Sequence, residues 1–268
     1  MGWKGIGLKR PPGWEGFRAR VGELQELLEE LGVGYLFLKT VKAYPHADSN
    51  VDVLLPDPAE FRRAKEALIQ RGFRPVFTWE FDKAMLLPPP PPTEAGSKPA
   101  VHLYSRISWY AVPYLDAGAV LRRGERVGWE GLKIPVPCPR DDFYIGALHA
   151  FFEEEALTLG DFWHLSHRRG ERAGGEHEGD LSPAARWAVR AVEAALEALS
   201  VSLPPEDRAV DPQREREVVY RFPERVLLRG FARRAAEALR RRLLNDLGAV
   251  VYAYGLIHPA KRLKLIRG

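Results

Sequence analysis

A single cysteine, Cys138, in 268 residues rules out an internal disulfide and a thiolate-based zinc cluster. Methionine is down to two, asparagine to two (Asn50 and Asn245) and glutamine to three. Set beside 30 Arg, 10 Lys and 22 Pro, these shortages read as a thermophile or high-GC composition. No apolar run approaches the ~20 residues needed to span a bilayer. The start, Met1 to Gly5, has no apolar signal-peptide stretch, so a cytoplasmic protein without membrane contact is expected. Also missing are Gly-x-x-x-x-Gly-Lys-Ser/Thr, Gly-x-Gly-x-x-Gly and Gly-x-Ser-x-Gly, so a P-loop NTPase, a Rossmann dehydrogenase and an α/β-hydrolase are unsupported.

What is present is enough apolar sequence for a sizeable core, with 46% hydrophobic and 10% aromatic residues. The net charge of +4 is unevenly spread: residues 213–268 carry 14 Lys/Arg against 5 Asp/Glu, or +9, leaving −5 for residues 1–212. A basic segment on an acidic body suits nucleic acid or another polyanion; solvated helix faces in an Arg-rich chain are the plainer alternative.

Helical spacing covers 18–31 (Val21, Leu24, Leu27, Leu28, Leu31) and about 58–71, which Pro58 opens and Gly72 ends. Strand patterns fall at 34–39, 50–55, 73–79, 83–87, 100–104 and 133–136. Five prolines, Pro88 to Pro92, exclude helix or central strand there and indicate a stiff excursion between strands. From Pro139 onward the pattern is helical over 140–155, 158–168, 183–199 and about 223–247. The sequence therefore predicts an α+β domain over 1–137 followed by a helical domain over 138–268 with a basic C-terminal segment.

The chemistry concentrates in Phe37-Leu38-Lys39-Thr40 and, shortly after, Ser49-Asn50-Val51-Asp52-Val53-Leu54-Leu55. Alternation along the second strand puts Asn50 and Asp52 on one face and Val51 and Val53 on the other. Neighbouring oxygen-bearing side chains suit a hard divalent cation such as Mg²⁺. Asp48 lies two residues earlier in the same alternation and can add a carboxylate. An Asp-x-Asn-x-Asp stretch is equally a common turn held by side chain–backbone hydrogen bonds.

Leu38-Lys39-Thr40, Tyr44-Pro45, Asn50-Val51-Asp52-Val53-Leu54-Leu55, Val101-His102-Leu103-Tyr104 and Asp141-Asp142 … Leu148-His149-Ala150 occur in an order that resembles the polymerase-beta-type nucleotidyltransferase superfamily. The resemblance is to a poorly characterised archaeal and bacterial branch, in scattered pieces over roughly residues 33–165. It implies a nucleotidyltransferase-like mixed sheet with flanking helices. It also implies a nucleoside monophosphate passed from an NTP to an acceptor hydroxyl with Mg²⁺. By position, Asn50 and Asp52 would be metal ligands, with Asp48 as a substitute. Thr40 and Lys39 would lie near the phosphates, and His102 would stand where a third carboxylate acts as base. The motif is degenerate: Asn50 is neutral, Thr40 replaces a glycine, and His102 suits softer metals. Two readings follow, an active transferase or a catalytically reduced relative that binds nucleic acid or a partner.

Three smaller features have readings of their own. Asp161, His164 and His167 share a helix, as a metal site or as helix packing. His149 lies on an apolar helix, either as a buried histidine or facing a cleft. Tyr104 to Tyr110 interleave aromatics with Arg106, to stack a base or to pack an interface.

Overall fold

A computed structural model of the chain describes residues 10–76, 82–89, 99–109, 112–171, 178–204 and 210–240. Its centre is a five-stranded mixed sheet, ordered β1 (Leu36–Leu38), β2 (Asn50–Leu54), β5 (Ala100–Tyr104), β4 (Lys83–Leu87) and β3 (Arg74–Val76). β2 pairs with β5 in parallel; every other neighbouring pair in this sheet is antiparallel. Reaching a parallel neighbour requires a crossover, and α2 (Pro58–Gln70) begins it. Asp57 caps α2 by accepting from the Ala59 and Glu60 amides, and Pro58 takes the first helical position, where no amide is needed.

β1 and β2 feed two cores. Phe37, Val51, Val53, Val101 and Leu103 face α1 (Trp14–Glu30) and α2, packing with Phe17, Leu24, Leu28 and Leu68. Leu36, Leu38 and Leu54 face the other way, into a cluster built by α4 (Pro139–His149), α5 (Leu159–Glu171) and α6 (Pro183–Ser202). The period-two alternation read from residues 50–54 is therefore real, and it turns Asn50 and Asp52 toward the helical side. That second cluster draws on residues from both sides of position 137.

The predicted strands at 83–87 and 100–104 coincide with β4 and β5. Residues 77–79 of the expected 73–79 strand, Pro90 to Pro92, and residues 241–247 of the last helix lie outside the described residues. Two differences stand out. Two hairpins, β6 (Ile107–Trp109) with β7 (Val112–Leu115) and β8 (Glu125–Trp129) with β9 (Leu132–Val136), enclose the short helix α3 (Ala117–Arg123). After residue 137, β10 (Ala156–Thr158) pairs with β11 (Val218–Arg221), so the later half is not purely helical.

The second difference lies in the helix expected over 140–155. It stops at His149, widens into a π turn at Ala150–Glu154, and ends at Glu155, whose φ is +56°. Two adjacent buried aromatics explain the widening. Phe151 meets Trp187 and Phe222, while Phe152 meets Tyr114 and Phe231, and the wide turn sends both into the core. The last described helix, α7 (Glu224–Arg240), packs on α6 and on this turn.

Candidate functional site on the sheet face

Strand register assembles the site. β2 and β5 pair Asp52 with His102 and Leu54 with Tyr104, and β1 sets Leu38 opposite Asp52. One residue past β1, Lys39 adopts the left-handed conformation, φ +55°, which a non-glycine residue rarely takes and which is concentrated at functional positions. That bend brings its ammonium to 2.6 Å from Asp52 Oδ2. Asn50 Nδ2 donates to Asp52 Oδ1 at 2.5 Å and to His102 Nδ1 at 3.2 Å. The Tyr104 hydroxyl stands 3.4 Å from both Asp52 Oδ1 and His102 Nδ1.

Asp52 is only 4% exposed. Burial opposes its charge, but Lys39 and His102 more than offset that and hold the carboxyl below its usual range. Burial likewise opposes the Lys39 ammonium, yet Asp52, Glu153 and Asp48 keep it charged well above the ordinary lysine value. Lys39 thus sits among carboxylates of the sheet and of the π turn. Glu153 is held ionised in the same way: burial works against it, and His149, Lys83 and Lys39 outweigh that.

Beside this network lies a pocket of about 330 Å³, counting its open mouth. Lys39, Tyr104 and Arg106 form one wall, and Ile145, His149 and Glu153 the other. His149 Nδ1 lies 3.2 Å from Glu153 Oε2, so this histidine faces the cleft. Of the aromatic run, Tyr104 and the neighbouring Arg106 border the pocket; Tyr110 lies outside the described residues.

Two of the residues expected here point elsewhere. Thr40 is buried and donates its hydroxyl to the Leu38 carbonyl, 3.2 Å away, so it does not line the pocket. Asp48 accepts from the Ser49 amide at 2.7 Å and approaches His46 Nε2 at 3.6 Å. His46 Nδ1 in turn reaches Glu215 Oε2 at 2.8 Å. That link to position 215 had no local signal in the sequence, because 169 residues separate the partners.

The helix bearing Asp161, His164 and His167 holds packing contacts. Asp161 caps its own helix through Thr158, whereas His164 accepts from the Ala43 amide at 3.2 Å and turns Nε2 to Asp142, also 3.2 Å away. His167 pairs with Glu171. Burial, the largest influence, lowers the His164 pKa to about 4 despite Asp142. A neutral imidazole here fastens the β1–β2 connection to α5.

The donor set does not fit Mg²⁺. That cation wants an octahedron of oxygens at ~2.0–2.1 Å, anchored by carboxylates. Asp52 is the one carboxylate of the network, its oxygens engaged by Lys39 and Asn50, and Asn50 presents its amide nitrogen rather than its carbonyl. Among the described residues, no three His, Cys, Asp or Glu side chains are grouped to hold a metal ion.

Positions 39, 50, 52 and 102 thus gather on one face of the mixed sheet of an α+β architecture. No protein-family profile matches the sequence. No curated protein matches it either. Among solved structures, the chain is similar to MenT4, a nucleotidyltransferase toxin from Mycobacterium tuberculosis H37Rv, at 16% identity and a TM-score of 0.32, covering 87% of this chain and 91% of that one. It is also similar to a cytoplasmic RNA terminal U-transferase at 11% identity and a TM-score of 0.27, covering 76% and 95%. No helix of the described residues is long and apolar enough to cross a membrane.

Proposed function

We propose that this chain is a catalytically reduced nucleotidyltransferase-fold protein that uses the pocket beside Asp52 to bind a ligand rather than to transfer a nucleotidyl group. The observation that carries this reading is the ion pair between Lys39, which lines the pocket, and the buried Asp52. In metal-assisted phosphoryl chemistry, cations held by carboxylates neutralise charge on the transferring group. Here a side-chain ammonium already occupies the remaining carboxylate, and Asn50 and His102 supply no second anion. Lys39, Arg106 and the Tyr104 ring offer contacts for the anionic and planar parts of a nucleotide-like ligand.

The test is pyrophosphate release from each NTP with Mg²⁺ or Mn²⁺, run beside nucleotide binding in EDTA. Expected are binding without metal and no release that depends on Asp52. Metal-dependent release abolished by Asp52→Ala overturns this proposal in favour of active transfer to an acceptor hydroxyl, with His102 as its base.

A further inference from the structure

We infer that the outward face of α7 is a docking surface for single-stranded nucleic acid. Arg225, Arg229 and Arg233 recur at every fourth residue, so they stand in one row, spaced about 6 Å along the helix axis. All three are exposed. Arg225 and Arg229 have no hydrogen bond or ion pair among the described residues. The Arg233 guanidinium lies 5.3 Å from the centre of the Trp187 ring on α6. Acidic side chains are kept off the row: Glu237 turns inward to Arg234 at 2.9 Å, and Glu224 sits at the helix start.

The other side of α7 is committed to the fold. Leu227, Gly230, Arg234 and Glu237 are buried, and Arg234 also donates to Ser182 Oγ at 3.2 Å. The arginine row is therefore held rigidly outward. Its guanidinium forks match phosphate oxygens bidentately, and the small Ala232 and Ala236 beside them leave room for a sugar–phosphate backbone. A protein interface wants an apolar centre depleted of charge, and a membrane-surface helix wants an apolar face. Among the described residues of this helix, Leu228 is the one exposed large apolar side chain, 52% exposed. A regular cationic row beside an aromatic ring is instead what a single strand engages.

The experiment is fluorescence anisotropy of the full-length chain with a labelled oligouridylate of about 16 nucleotides, between about 50 and 200 mM salt. Arg225→Ala/Arg229→Ala touches only exposed side chains, so its fold is expected to be intact by circular dichroism. It should weaken binding at least tenfold and reduce the slope of log K against log salt by about 1.4, at ~0.7 per lost phosphate contact. Arg225→Lys/Arg229→Lys should retain most of that slope. Because retention is read rather than transfer, the outcome is separate from the fate of the pocket. The inference is overturned by wild-type protein that retains no oligonucleotide at the lowest salt, or by a double alanine variant that binds like wild type. Stronger binding to phosphatidylserine vesicles overturns it in favour of a membrane surface. Equal competition by polyglutamate overturns it in favour of an acidic polypeptide.

Discussion

Lys39 Nζ and Asp52 Oδ2 are 2.6 Å apart, and the ammonium holds the charge of a carboxylate buried from water. Removing one partner of such a pair strands the other, at a cost of about 3–5 kcal/mol. Lys39→Met should therefore lower the unfolding free energy by that order in urea titrations. Lys39→Met/Asp52→Leu should recover most of it, because the unpaired buried carboxylate at position 52 is removed as well. A double variant as unstable as the single one would show that the pair does not act as a unit.

Asn50→Asp places a second carboxylate beside Asp52. With Lys39 left in place, the added anion should raise proton affinity in the network. With Lys39→Ala as well, Mn²⁺ should bind in a range that calorimetry or electron paramagnetic resonance detects, whereas the parent shows no saturable site there. If the parent already binds Mn²⁺ as tightly as the double variant, the unfavourable donor set inferred above is wrong.

His46 lies between Asp48 and Glu215. Burial opposes its protonation, but the hydrogen bonds with those carboxylates prevail and raise its pKa. The sign follows: its contribution to stability is complete below the unfolded value near ~6.5 and is lost as pH rises through the higher folded value. Asp48, held low mainly by His46 against burial, contributes above its own unfolded value and loses that as the solution becomes strongly acidic. His46→Gln should flatten the fall in Tm on the alkaline side of neutrality, as measured by calorimetry.

His164 has the opposite sign. Its folded pKa is near 4, so the unfolded chain takes up a proton first, and stability declines as pH falls from ~6.5 toward that value. NMR should find the His164 ring neutral at pH 6. His164→Gln should remove this part of the acid sensitivity while leaving the His46 effect intact.

Gly230 is where α7 meets the π turn: a Cβ built on it would lie 2.6 Å from Phe151 Cε1. Gly230→Ala should destabilise the fold by about 1–3 kcal/mol through this clash, despite alanine's better helix propensity. Denaturant unfolding followed by tryptophan fluorescence measures it.

Much of the sheet was legible because β2 and β5 are half-buried strands with strict alternation. Val51 and Val53 announce one core, and Asn50 and Asp52 the polar side. β1 proved shorter than its apolar run, since Lys39 turns left-handed to meet Asp52, a tertiary demand that composition does not show. The π turn was hidden for the same reason. Phe151 and Phe152 read equally well on an ordinary helix until Trp187, Tyr114 and Phe231 are seen to claim them from both sides. Within the site, the convergence of positions 50, 52 and 102 was legible in strand pattern and motif order. The influence of Glu153 on Lys39, and Glu215 reaching His46, join segments too distant for any local pattern to reveal.

The connection between β1 and β2 is anchored at three points: the Val41 carbonyl by Arg168, the Ala43 amide by His164, and His46 by Glu215. A stretch sewn down at that spacing makes a poor flap. On this side, the hollow bordered by Lys39 has a preset wall.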